Sequence, residues 1–129
     1  MNEHWAAAWS ASAQGPFPYG RETAQPDLSA LFPEPGYSAT NQSFRMIIRH
    51  DIWGRQLRIR LSNAHGSKPI TFKDLYVGMQ SMSSAILPGT NRQIQFDGLD
   101  IVTIEAGQWA VSDPVTLDFI TNLKDPLLT

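Results

Sequence analysis

The feature that most constrains the fold is a period of two in the hydrophobic pattern, which begins at residue 43. Over residues 44–49, Phe44, Met46 and Ile48 alternate with Arg45, Ile47 and Arg49, and over residues 57–61 hydrophobic side chains alternate with arginines. An alternation of this kind turns one face of a β-strand towards a core. A turn over residues 51–54 separates the two runs. The sequence therefore predicts an antiparallel β-hairpin whose inner face carries Phe44 and Leu61.

Further short strands are predicted after this hairpin. The pattern favours one strand over residues 70–80 with a bulge near Asp74, and then strands over residues 93–96, 101–104, 109–111 and 115–119. Asp97-Gly98 and Ala106-Gly107 are typical turn sequences between them. Many short strands without a long helix predict an all-β fold, a β-sandwich of jelly-roll type.

The first 40 residues have a different character. Eight proline and glycine residues between positions 15 and 36 break any long helix or central strand. The segment is nevertheless rich in aromatic residues, which disordered segments usually lack. We therefore expect a single domain over residues 1–129, with residues 1–40 as an ordered, Pro/Gly-rich arm and residues 41–129 as the sandwich.

Composition excludes several classes of function. The 129 residues carry a net charge of -2, which argues against a binder of nucleic acid or of anionic membranes. There is no cysteine, so disulfides and thiolate zinc sites are excluded. No apolar run approaches the roughly 20 residues of a membrane span. Residues 1–9 do not form a signal peptide, and the compartment stays open.

Searches for catalytic and metal-binding motifs give no site. The chain has no Gly-Asp-Ser, no Gly-x-Ser-x-Gly and no Asp-x-x-His motif, so it lacks the usual arrangements of a serine hydrolase. His4, His50 and His65 have no metal-ligand spacing with one another or with acids. We predict no catalytic residue, no metal and no cofactor in this chain.

An arginine cluster is the first candidate site. Five of the seven arginines lie between residues 45 and 60, and Asp51 is the only acid there. In the predicted hairpin, four of them share the face opposite the core. Like charges placed opposite each other on a sheet are destabilising. Three interpretations stay open for this face: salt bridges to acids elsewhere in the domain, a contact with another domain, and an anionic ligand.

Tryptophans and a turn motif give the remaining candidates. Trp53 is predicted at the tip of the hairpin, where it contacts a partner, the core or a ligand, with Tyr37 as a second aromatic platform. We expect Trp5, Trp9 and Trp109 to anchor the arm and the core. Asn63 and Gly66 suit a loop that follows a strand. The candidate interface or ligand residues are Arg45, Arg49, Arg58, Arg60, Trp53, Asn41, Gln42 and Asn63.

Several segments together resemble the N-terminal β-domain of a group of bacterial GDSL/SGNH esterases. They are WAAAWSASAQ (5–14), NQSFR (41–45), QLRIRLSNAHG (56–66), PGTNR (88–92), VTIEAG (102–107) and VSDPV (111–115). The resemblance implies an SGNH hydrolase that cleaves carboxylic esters, as esterases and lipases do, with its Ser, His and Asp outside this chain. It also suggests a secreted or periplasmic protein.

The resemblance implies that this chain is a non-catalytic accessory domain. It would pack on an SGNH catalytic domain, of the same gene product or a separate chain, and would help to shape the substrate entrance. A carbohydrate or an ester substrate at the domain junction is a further candidate ligand. Residues 120–129 have the sequence of a loop that is interrupted midway. We therefore expect the exposed edge of strand 115–119 to pair with a second polypeptide. The alternatives are a free-standing carbohydrate-binding module and a structural or oligomerising domain.

Overall fold

The computed structural model describes residues 3–12, 39–118 and 127–129. These residues form eight short strands and no helix, so the predicted all-β class is confirmed for the described part of the chain. The strands are β1 (Gln56–Leu57), β2 (Arg60–Ser62), β3 (Ile70–Lys73), β4 (Leu75–Val77), β5 (Arg92–Ile94), β6 (Ile101–Ile104), β7 (Trp109–Val111) and β8 (Val115–Thr116).

Antiparallel pairs join β1 to β8 and β2 to β7. The two pairs follow one another along the chain and form what we call the first ribbon. Between them Ile59 and Ser112 are joined twice: the Ser112 amide donates to the Ile59 carbonyl at 2.9 Å, and the Ile59 amide donates to Ser112 Oγ at 2.9 Å. The side chain of Ser112 thus bridges the irregular step in the ladder.

The predicted hairpin is wrong. Residues 57–61 pair with residues near the C-terminal end and not with residues 44–49. Phe44 and Met46 are exposed, and among the described residues, residues 44–49 form only one bridge, from Ile48 to Leu128. An alternating strand fits any partner that covers its apolar face, so the pattern alone did not determine the partner.

A second ribbon contains β3 and β4 on one side and β6 and β5 on the other. Asp74, with a φ of 56°, separates β3 from β4 where the sequence predicted a bulge, and the strand predicted over residues 70–80 ends at Val77. Opposite it, residues 95–100 leave the ladder as a loop, and the Asp74 amide donates to the Asp100 carbonyl at 2.9 Å. Asp97 and Gly98 form the tip of this loop, both with positive φ, as a tight turn of this sequence requires.

Residues 127–129 lie between two other segments of the chain. Leu128 exchanges backbone hydrogen bonds with Ile48 at 2.7 and 3.0 Å. On the opposite side Thr129 exchanges hydrogen bonds with Gly78, at 2.9 Å each, and the Gln80 amide donates to the Leu127 carbonyl at 2.8 Å. This segment therefore behaves as a short strand paired on both edges.

The core lies where the two ribbons and this last strand meet. Met79 and Ile94 are the largest fully buried side chains. The buried cluster is made of Val77, Met79, Ile94, Phe96, Val115, Leu117 and Leu128. Each of the two ribbons and the C-terminal segment contributes to it, so the core depends on contacts distant in sequence.

Candidate functional site

Two arginines of the first ribbon stack on tryptophan rings at the surface. The Arg58 guanidinium lies 4.3 Å from the centre of the Trp5 ring, and the Arg60 guanidinium lies 4.2 Å from the centre of the Trp109 ring. We call these four residues the Arg–Trp face. Both distances are within the range of a cation–π interaction. The sequence expectation of a shared arginine face thus holds for Arg58 and Arg60, although the predicted hairpin does not.

The register of the first ribbon explains the Arg60–Trp109 contact. Arg60 pairs with Val111, and Ser62 pairs with Trp109, so Arg60 and Trp109 are diagonal neighbours on one face. Diagonal neighbours across an antiparallel pair are within reach of long and aromatic side chains. Trp109 remains 54% exposed. The expectation that Trp109 anchors the core is therefore wrong.

The N-terminal segment supplies the other tryptophan. The Ala8 carbonyl accepts a hydrogen bond from the Asp51 amide at 2.9 Å, and this contact holds residues 3–12 against the loop before β1. Trp5 then lies against Arg58 and is 42% exposed. Sequence reasoning paired neither tryptophan with an arginine, because the contacts join residues 49 or more positions apart in the chain.

The other candidate arginines lie apart from this face. The Arg45 guanidinium donates to the Ser84 carbonyl, and Arg49 is exposed. Asn41 and Gln42 are exposed, and Asn41 has a φ of 53°, a backbone conformation that asparagine tolerates. In the described residues the one ion pair joins Arg92 to Asp118 at 2.7 Å, so none of the four candidate arginines has a carboxylate partner there.

Asn63 has a structural role in the loop after β2. Its side-chain Nδ2 donates to the carbonyls of Lys68 at 2.8 Å and Ile104 at 3.0 Å. Its backbone carbonyl accepts from the amides of Gly66 and Gly107. A Cβ at Gly66 would lie 1.8 Å from Asn63 Oδ1, so glycine is needed there. The motif thus closes one end of the two ribbons.

Asp113 joins the two ribbons at the irregular step between the β1–β8 and β2–β7 pairs. Its carboxylate accepts from the amides of Asp97 at 3.1 Å and Gly98 at 2.7 Å, and its own amide donates to the Gln95 carbonyl at 2.8 Å. The tip of the 95–100 loop is thereby held against the step in the first ribbon. The polar residues of the VSDPV segment are therefore used within the fold.

Trp53 lies beside His50, with ring centres 4.7 Å apart and ring planes at 41°. Burial lowers the pKa of His50 from its ordinary value of 6.5, while the nearby Asp51 carboxylate acts in the opposite direction. His50 Nδ1 is buried without a hydrogen-bond partner. Trp53 is thus one wall of a partly buried histidine site and still 40% exposed. Tyr37 lies outside the described residues.

The Arg92–Asp118 pair borders a shallow, open depression between β5 and β8, which Gln93, Gln95 and Thr116 also line. The hydrogen bond from Arg92 lowers the pKa of the Asp118 carboxyl. Within residues 3–12, 39–118 and 127–129, no three His, Asp or Glu side chains come together as metal ligands. The same residues include no helix of the length and apolarity that crossing a membrane requires.

Comparison of the chain with protein-family models and with curated proteins gives no significant match. The geometry of the Arg–Trp face and the sequence resemblance are therefore the grounds for a functional proposal.

Proposed function

We propose that this chain is a non-catalytic β-domain, of jelly-roll type, that docks on an SGNH serine esterase domain and helps to shape its substrate entrance. The single observation that carries the proposal is the Arg–Trp face, on which two half-exposed indoles are each covered by a guanidinium. The resemblance to the N-terminal domains of SGNH esterases supplies the class of partner. The absence of a nucleophile motif and of Asp-x-x-His supports a non-catalytic role.

The composition of this face suits a protein interface. Tryptophan and arginine are the residues most enriched at the centres of protein interfaces, where they carry much of the binding energy. Here the indoles and guanidinium groups hold one another in place before any partner arrives. Less side-chain entropy is then lost on binding than with freely rotating arginines. Exposed Val111 adds apolar surface beside Arg60.

A carbohydrate-binding module fits the same surface less well. Sugar rings stack on bare aromatic faces, and here Trp5 and Trp109 each already have one face against a guanidinium. Trp53, the other candidate platform, packs against His50. An oligomerising domain would use the same kind of surface as a docking domain, and the measurement below separates the two.

The test is direct binding between this chain and the SGNH hydrolase encoded by the same gene or by its neighbours. Isothermal titration calorimetry should give a one-to-one complex with the hydrolase. Trp109→Ala should weaken it, and Leu99→Ala, which also removes an exposed apolar side chain, should not. Sedimentation of this chain alone should show a monomer. Failure of any such hydrolase to bind, or dimerisation through Trp109, would refute the docking proposal.

A further inference from the structure

We infer that the Arg–Trp face receives an acidic segment of its partner, with two carboxylates spaced like alternate residues of an extended strand. The inference rests on the proposed docking function and specifies the chemistry of the partner surface. It comes from the unbalanced charge of the face, from the stacking of both guanidinium groups and from the spacing of Arg58 and Arg60.

The charge of the face is not balanced within the described residues. Arg58 and Arg60 are exposed, and the only ion pair in the part of the chain that the structure describes is elsewhere, between Arg92 and Asp118. Asp51 is the only acid between residues 45 and 60. Two neighbouring cations without a carboxylate favour an anionic partner through electrostatic complementarity.

Stacking on tryptophan prepares the guanidinium groups for carboxylates. The central carbon of each guanidinium lies over an indole ring, and the N–H groups of a guanidinium point outward in its own plane. A carboxylate binds these N–H groups through two parallel hydrogen bonds and leaves the stack intact. Cation–π contact and bidentate pairing are therefore compatible at the same arginine.

The spacing selects an extended partner. Arg58 and Arg60 are two residues apart, Arg58 in the irregular step and Arg60 at the start of β2, so their Cα atoms lie at most roughly 7 Å apart. Glutamates at alternate positions of an extended peptide have the same spacing. Nucleic acid also offers regularly spaced anions, but the net charge of -2 for the whole chain opposes binding to a polyanion of that size.

The probe is a synthetic seven-residue peptide in which glutamate alternates with threonine, and its matched control has glutamine in place of glutamate. Binding to the whole chain is followed through the indole N–H signals of the tryptophans in NMR spectra. The variant is Arg58→Gln/Arg60→Gln. The control variant Arg45→Gln/Lys73→Gln removes the same net charge from residues outside the face.

We expect the glutamate peptide to shift the indole signals of Trp5 and Trp109 and the glutamine peptide to leave them unchanged. The face variant should bind the glutamate peptide roughly tenfold more weakly or worse, and the control variant within about twofold of wild type. Equal binding by wild type and the face variant would overturn the inference. Polygalacturonate, an anionic polysaccharide, is tested as a second probe. If it binds more tightly than the glutamate peptide, the inference is also overturned, in favour of an anionic polysaccharide as the ligand.

The two proposals fail separately. If the hydrolase binds the face variant as tightly as wild type, docking stands and the acidic partner is refuted. If the peptide binds as expected and no hydrolase binds, the chemistry of the face stands and the proposed function is refuted.

Discussion

Asn63 shows how one side chain can join parts of the chain that are far apart in sequence. It follows β2, yet it bonds to the carbonyl of Ile104 in β6, and its backbone carbonyl accepts from Gly107 in the next turn. At residue scale the sequence indicated a turn at Asn63 and Gly66. It did not reveal the long-range hydrogen bonds, because nothing in a local motif specifies a partner 41 positions away.

A double-mutant cycle on Asn63 and Gly66 tests this arrangement. Asn63→Ala should lower the free energy of unfolding by about 1–3 kcal/mol, because the Ile104 and Lys68 carbonyls lose a donor. Gly66→Ala should also destabilise, since its Cβ would lie 1.8 Å from Asn63 Oδ1. In the Asn63→Ala background that obstacle is gone, so the two effects should be less than additive.

Urea denaturation of the four proteins measures the cycle, with Ser67→Ala as a control in the same loop. Strictly additive effects would mean that the Asn63 side chain does not occupy the space beside Gly66.

His50 provides a pH-dependent prediction. Because its pKa is lowered in the fold, the folded state binds fewer protons than the unfolded state near that pKa. The His50 contribution to stability is therefore complete above pH 6.5 and is lost as the pH falls from 6.5 through the folded pKa. His50→Gln should make the decline of the unfolding free energy shallower between about pH 7 and pH 5.

The comparison is made by urea denaturation at a series of pH values, with exposed His65→Gln as the control. If the unfolding free energies of wild type and His50→Gln decline equally with falling pH, His50 does not contribute to the pH dependence of stability and the prediction is contradicted.

At the scale of elements, the turns were more predictable than the pairings. The predicted strand over residues 101–104 has the same bounds as β6, and the irregularity predicted near Asp74 is present. Both depend on local chemistry: four consecutive β-branched residues for the strand, and an aspartate with positive φ at position 74. The pairing of residues 57–61 was predicted wrongly, because their alternation is satisfied equally well by residues 44–49 and by residues 110–115.

Leu128 tests the role of the last strand. It is 5% exposed within the core cluster and is paired to Ile48 and Met79 on its two sides. Leu128→Ala should lower the unfolding free energy by about 2–5 kcal/mol through the lost apolar contacts and the cavity left behind. Leu99→Ala, at an exposed leucine, should change it by less than about 0.5 kcal/mol. If Leu128→Ala and Leu99→Ala lower the stability by equal and small amounts in thermal denaturation, residues 127–129 do not complete the core.

At the scale of the whole molecule, buried polar groups explain the sequence motifs, and exposed groups suggest the function. The most distinctive polar residues of the resembling motifs, Asn63, Ser112 and Asp113, form hydrogen bonds within the fold. The Arg–Trp face is exposed and its charge is unbalanced in the described residues. The arginine half of that face could be predicted from the alternating pattern. The tryptophan half could not, because it depends on the fold of distant segments.

A consequence at this scale is that the chain alone should not hydrolyse esters. It has no Gly-Asp-Ser and no Asp-x-x-His motif to supply a nucleophile and a base. The purified chain should give no turnover of p-nitrophenyl acetate above buffer and no labelling by a fluorophosphonate serine probe. Stoichiometric labelling of any serine would contradict the non-catalytic assignment.

Docking through the Arg–Trp face is tested most directly by hydrogen–deuterium exchange of this chain with and without any SGNH hydrolase that the same gene or its neighbours encode. Docking through the Arg–Trp face should slow exchange in peptides that cover residues 3–10, 58–62 and 109–111. Exchange in peptides that cover residues 82–91, away from that face, should not change. A complex whose protection lies outside the Arg–Trp face, or the absence of any complex, would contradict the claim.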